Sequence, residues 1–241
     1  MWLNDEQITD TAISAYQESL LSACPNHIVI DNLFDSTKLD DVVSILQQPQ
    51  NWQTQRHTYS ALYVDNKQWQ KASNAQRFVQ RDVWQRENSY SNTDSSHTHN
   101  LVDFNSKAAD DFLSFLRGDT FMSLVSRIFQ VPLTDINVAE PEVNTNFFRL
   151  SADDFVEQHA DDSPGREVCM LLYLNKEWRH NAGGELVFIG SNNEHISIAP
   201  LYNRCVLFNP SSKGSEHWVK KLNAEYTDQH RYNVTSWYWS E

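Results

Sequence analysis

"FVEQHAD", residues 155–161, is the stretch whose reading decides how this chain folds. Read as a strand, it turns successive side chains to opposite faces, so His159 and Asp161, at i and i+2, share one side. An imidazole and a carboxylate then point together into whatever the strand encloses. Such a pair is weak evidence alone, because nine histidines and 32 acidic residues in 241 produce it by chance.

The surrounding sequence supports the strand. From about residue 136 onward, short runs rich in Val, Ile, Phe and Tyr alternate with turn residues: "EVNTNFFRL", "FVEQHAD", "VCMLLYLN", "GGELVFI", "HISIAP", "RCVLFNP" and "RYNVTSWYW". Many short strands at this spacing predict a sandwich or a jelly-roll barrel. The first half differs. Residues 5 to 22 have loosely helical apolar spacing, "HIVIDNLF" (27–34) reads as a strand, and Leu39, Val42, Val43 and Leu46 mark one face of a helix capped by Asp35 or Ser36. The stretch 108–134 predicts two short helices broken near Gly118 and stopped before Pro132. Residues 51–105 are polar, receive no fixed structure, and are the place to look for a lid. The expectation is one α+β domain, mainly β, over residues 1–241, with a mostly helical support region (1–135) packed outside a β core (136–241).

Composition narrows the function. A formal net charge of −13, with Lys and Arg scattered rather than striped, argues against nucleic acid. Cys24, Cys169 and Cys205 have no paired spacing, which predicts free thiols and a cytoplasmic protein. No apolar run approaches the roughly 20 residues of a membrane span, and the N-terminus does not read as a signal peptide.

A metal at His159 and Asp161 requires a third ligand from elsewhere, and His217 in "KGSEHWV" is the best candidate, following the strand "RCVLFNP". Two histidines and one carboxylate on one face of an octahedron leave three positions open, as non-haem Fe(II) requires to bind a chelating cosubstrate and O2. His230 adjoins Arg231 and would face the opposite way on the same strand. His97 and His99, also at i and i+2, lie in the polar stretch "NSYSNTDSSHTHN" and read as a solvated loop. His180 and His195 read as turn residues. Gly183 and Gly184 read as a tight entry to a strand rather than a phosphate cradle.

In order, "LLYLNKEWRHNAGGELVF" (171–188), His217 and "HRYNVTSWYW" (230–239) resemble the 2-oxoglutarate and Fe(II)-dependent oxygenases of the prolyl 4-hydroxylase-like group, over about residues 140–241. "IVIDNLFD" and the helices at 115–134 resemble that group's N-terminal elements more weakly. The resemblance implies a double-stranded β-helix, a jelly-roll or cupin-like barrel. It maps the Fe(II) ligands, the catalytic centre, onto His159, Asp161 and His217, and the cosubstrate arginine onto Arg231. A guanidinium offers a planar, permanently charged fork for the distal carboxylate of 2-oxoglutarate. Tyr173 stands where relatives place a tyrosine whose hydroxyl meets the same carboxylate. Thr235, on the Arg231 face of its strand, is a further donor, and Trp237 on that face a wall of the pocket. Arg149 lies near the position where relatives have another pocket tyrosine and is a substrate or cosubstrate candidate, or else simply pairs with an acid.

The implied reaction uses O2 and 2-oxoglutarate, releases succinate and CO2, and hydroxylates a prolyl residue in a peptide or a proline-like small molecule. Ascorbate is a candidate accessory. Asp161 separates this pattern from related halogenases, which lack the carboxylate. The interval of 14 residues from His217 to Arg231 is longer than the group's usual one, so "KKLNAEYTDQ" predicts an extended hairpin. A cupin-like enzyme without 2-oxoglutarate and a non-catalytic binding protein remain as alternatives.

Overall fold

In the computed structural model, residues 1–59, 77–86, 107–134, 144–192, 194–226 and 229–240 are described. A short 3-10 turn, Asp5–Ile8, leads into α1, Asp10–Ser22, where Thr9 caps the first turn by accepting from the Ala12 N–H. Strand β1 is His27–Asp31, and α2, Ser36–Leu46, begins at Asp35, whose Oδ1 accepts from Lys38 N at 3.0 Å. That bond satisfies one of the orphan amides of a helix start. Helices α3, Lys107–Leu116, and α4, Asp119–Phe129, are split at Gly118 as their spacing predicts. Among the described residues no helix is long and apolar enough to cross a membrane.

The remaining strands are β2 (Trp52–Tyr59), β3 (Arg77–Trp84), β4 (Thr145–Leu150), β5 (Phe155–His159), β6 (Arg166–Tyr173), β7 (Leu186–Phe188), β8 (Ile196–Ile198), β9 (Arg204–Phe208), β10 (His217–Val219) and β11 (Arg231–Trp239). They join in the order β1-β9-β6-β11-β4-β3-β5-β10-β7-β8, with β2 paired to β3, and every pairing is antiparallel. Strand β3 is the crease. It pairs with β4 through Asp82 and Val83 and with β5 through Val79 and Gln80, so the sheet curls over on itself. The result is the double-stranded β-helix fold, with the four helices against it.

Alternation along β6 and β9 explains the layering. Val168, Met170, Leu172, Cys205 and Leu207 belong to one apolar cluster with the helices, while Cys169, Leu171, Tyr173, Val206 and Phe208 join Leu186, Phe188 and Ile198 in a second cluster inside the curl. Strands buried on both faces read as continuous apolar runs, as "VCMLLY" and "CVLF" do.

The structure corrects one expectation. Part of the polar region 51–105 is the hairpin β2–β3, registered from Trp52 opposite Trp84 to Tyr59 opposite Arg77. Its ladder is dressed with polar pairs, such as Thr54 Oγ1 to Asp82 Oδ1 at 2.8 Å and Arg81 Nε to Gln55 Oε1 at 3.3 Å. Such strands carry little apolar alternation for a sequence reading to detect. Residues 60–76 and 87–106, most of the expected lid, lie outside the described residues, as do His97 and His99.

Candidate metal centre

His159 is the last residue of β5 and His217 the first of β10, and the two are direct cross-strand partners. Their ring centroids are 4.3 Å apart. Asp161 follows two residues beyond His159, its Oδ1 4.0 Å from His159 Nε2 and its Oδ2 3.8 Å from His217 Nε2. Ligand atoms of all three residues lie within 4.8 Å of one another, and all three residues are buried.

Each imidazole is oriented the same way. Nδ1 of His159 lies 2.8 Å from the carbonyl oxygen of Glu157, and Nδ1 of His217 lies 2.9 Å from that of Ser215. An Nδ1–H donating to a carbonyl fixes the tautomer and leaves the Nε2 lone pair free for a metal. Burial, with the neighbouring His217, holds the His159 pKa well below its ordinary value, so this ring stays neutral. Burial alone would push the Asp161 carboxyl up, but electrostatic interactions with His159, Arg166 and His217 and the Trp237 hydrogen bond outweigh it and hold its pKa below the ordinary value. Two imidazoles and one carboxylate form the donor set that suits Fe(II) with open positions.

One face of β11 completes the cavity. Arg231, Asn233, Thr235 and Trp237 line it together with the triad. Arg231 is 1% exposed, and its Nε donates to Gly184 O and its Nη1 to Asn233 Oδ1, both at 2.7 Å. Asn233 Nδ2 donates in turn to Thr235 Oγ1 at 2.9 Å, which leaves the threonine's own proton for another acceptor. Tyr173 lies under the Arg231 guanidinium, 4.9 Å from ring centroid to carbon. The Tyr173 hydroxyl and Arg231 Nη2 are both buried without a hydrogen-bond partner. Two orphaned donors, one cationic, next to a metal-type triad fit a chelating ligand that ends in a carboxylate.

Residues 145–239 match the 2OG-Fe(II) oxygenase superfamily. The strands from β4 to β11 thus resemble an oxygenase domain of that superfamily. Over 107 residues it is 27% identical to prolyl 3-hydroxylase OGFOD1 of Mus musculus, a match covering 42% of this chain and 19% of that protein's length. A Pseudomonas putida prolyl-4-hydroxylase superposes with a TM-score of 0.59 at 14% identity, covering 95% of this chain and 99% of that one. A prolyl hydroxylase from Trichoplax adhaerens, in complex with a hypoxia inducible factor oxygen degradation domain peptide fragment, gives 0.55 at 17% identity, covering 98% and 96%.

The matched region thus gathers seven of the eight candidate residues at one place: His159, Asp161, His217, Arg231, Thr235, Trp237 and, beneath Arg231, Tyr173. Arg149 is elsewhere. Its Nε meets Asp82 Oδ2 at 2.9 Å, its guanidinium lies over the Trp52 ring, and it lines a separate groove with His230 and Tyr232. His230 faces outward, as its parity with Arg231 requires. His195 packs against the Trp218 ring and His180 is exposed.

Three contributions escaped the sequence reading. Asn233 was on the right face but had no assigned task. Gly184 supplies the carbonyl that holds Arg231, and a Cβ there would lie 3.0 Å from Arg231 Cδ and 2.8 Å from Trp178 Cζ2. The indole Nε1 of Trp237 donates to Asp161 Oδ2 at 3.1 Å, which makes the wall residue also a support for a ligand.

Proposed function

We propose that the protein is an Fe(II)- and 2-oxoglutarate-dependent dioxygenase that hydroxylates a prolyl residue or a proline-like compound, with release of succinate and CO2. The observation that carries this reading is the orphaned pair, Arg231 Nη2 and the hydroxyl of Tyr173 beneath it, with Arg231 lining the same cavity as the triad. His159, Asp161 and His217 would hold the metal. Fe(II) bound there supplies the O2 activation that couples oxidation of 2-oxoglutarate to oxidation of the substrate.

The chain's own residues bind, orient and exclude water. Arg231 and Tyr173 would take the distal carboxylate, one oxygen each, and Thr235 would turn its proton to the same group because Asn233 already occupies its oxygen. The charge on Arg231 then meets a counter-anion in a site otherwise costly for it. Trp237, Phe148, Leu171 and Leu186 close the walls against water. Asp161 as a ligand supports hydroxylation over halogenation. Similarity to prolyl hydroxylases supports a prolyl substrate, and the free Cys24, Cys169 and Cys205 support a reducing, cytoplasmic setting.

Succinate formation tests the proposal, measured with Fe(II) and 2-oxoglutarate against prolyl peptides, free amino acids and cell extract, with and without ascorbate. Metal- and 2-oxoglutarate-dependent succinate that is lost in Arg231→Ala is the expected result. Turnover that needs no 2-oxoglutarate, or unchanged 2-oxoglutarate affinity in Arg231→Ala, overturns it.

A further inference from the structure

The loop after Asp161 returns a cation to a place that plain alternation would not give it. Along β6, Val168, Met170 and Leu172 face the helices, and Arg166, of the same parity, would join them. The ladder with β11 prevents this. Tyr238 stands opposite Val168, but Trp239 stands opposite Arg166, so Glu167 is an extra residue on β6. A bulge of this kind re-aims the side chain beyond it. Arg166 is swung to the inner side of the sheet, in step with Trp237 and Trp239. Just before it, Gly165 takes a φ of +78°, and the Arg166 N–H closes the turn on Ser163 O at 2.9 Å.

The guanidinium so placed is 8% exposed and sits 5.3 Å from the Trp237 ring centroid and 5.0 Å from that of Trp239. Its Nη1 donates to the main-chain oxygen of Asp161 at 2.9 Å and reaches Oδ1 at 3.4 Å. From the other side the Trp237 indole holds Oδ2. Each carboxylate oxygen therefore carries one nitrogen donor, and the peptide carbonyl of the same residue is held as well. Arg166 itself does not line the cavity, so any influence on the chemistry passes through Asp161.

We propose that Arg166 is a positioning residue for the metal: together with Trp237 it fixes the Asp161 carboxylate as a one-oxygen ligand, so that the third corner of the triad is set before an ion arrives. A rotation that presented both oxygens to the ion would break at least one of the two donor contacts. The proposal rests on the metal reading of the triad given above.

The test is Co(II) binding to the metal-free protein, followed by calorimetry and by the visible spectrum of the bound ion, with circular dichroism as the check on folding. Arg166→Met is expected to weaken Co(II) binding by about 10- to 100-fold, the usual cost of losing a ligand's support, and to shift the spectrum as the carboxylate turns. Arg166→Lys recovers part of the loss, and Trp237→Phe, which removes the indole N–H together with part of the ring beside Arg166, is likewise expected to weaken Co(II) binding. A folded Arg166→Met protein that binds Co(II) within about twofold of wild type, with the same spectrum, overturns the proposal, since a true support costs far more. Should Arg166→Met not fold, Arg166→Lys decides, and wild-type affinity and spectrum in it overturn the proposal equally. Wild-type protein that binds no Co(II), or binding that survives His217→Ala, removes the metal site and this inference with it. Intact wild-type binding with an indifferent Arg166 removes the inference alone.

Discussion

His159 and His217 stand directly opposite each other across the β5–β10 ladder, with both Nε2 atoms turned to Asp161 and both Nδ1 atoms held by carbonyls two residues earlier. Each ring thus contributes one prepared lone pair. Loss of a supporting residue alone costs metal affinity roughly 10- to 100-fold, so loss of a ligand must cost more. His217→Ala and His159→Ala are each expected to lower Fe(II) or Co(II) affinity by well over ~100-fold and by similar amounts, as titration of the two metal-free variants will read.

Tyr173→Phe should act with opposite signs on stability and on cosubstrate binding. The hydroxyl is buried and without a partner, which costs the metal-free protein on the order of 1–3 kcal/mol. Its removal is expected to raise the melting temperature in the absence of 2-oxoglutarate. With cosubstrate present, one hydrogen bond is lost, and 2-oxoglutarate affinity should fall by roughly 3- to 10-fold. Thermal melts with and without 2-oxoglutarate read both effects.

Gly184→Ala is expected to disturb Arg231 without touching the ligand. At φ +75° an added Cβ is strained, and it would sit 3.0 Å from Arg231 Cδ. The cost to stability exceeds about 1 kcal/mol, and the KM for 2-oxoglutarate should rise by ~10-fold or more, because small displacements at a site are expensive. Gly118→Ala is the control. There φ is −81° and the added Cβ would press on the Phe115 carbonyl oxygen at 3.3 Å, a contact that does not involve Arg231, so the KM for 2-oxoglutarate should not change even where the urea melt does.

The Asp31–Arg204 pair across β1 and β9 predicts an acid-sensitive increment of stability. Arg204 Nε and Nη2 donate to the two carboxylate oxygens at 2.7 and 2.8 Å, and this bonding holds the Asp31 pKa below its ordinary 3.8 against the opposing effect of burial. A depressed folded pKa means that the stabilisation is complete above the unfolded value and is lost as pH falls through the folded one. The carboxylate is half exposed, so the increment is only about 0.5–1 kcal/mol. Asp31→Asn should be less stable by that amount in urea at neutral pH and equal to wild type once both are titrated below the folded pKa.

What the sequence disclosed depended on periodicity. His159, Asp161, Arg231, Thr235 and Trp237 were legible as facing one side because plain alternation puts them there, as the common cavity lining bears out, and α2 was legible because Leu39, Val42, Val43 and Leu46 recur at helical spacing. Arg166 was hidden because a single extra residue, Glu167, reverses its parity, and nothing in "SPGREV" announces a bulge. The hairpin β2–β3 was hidden for a different reason: its ladder is lined by Gln, Arg, Thr and Asp. Arg149 was misplaced because nearness in sequence to a pocket position says nothing of which face β4 turns to the cavity.

From Val168 onward, strand β6 gives its even residues to the helices and its odd residues to the cavity side, so one layer of backbone is at once the floor of the site and the ceiling of the helical core. There is no buffer between them. A change under the helices at Met170 presses on the same peptide units that carry Cys169, Leu171 and Tyr173. Adaptation of this protein to a new temperature through that strand will therefore be felt as a change in cosubstrate handling.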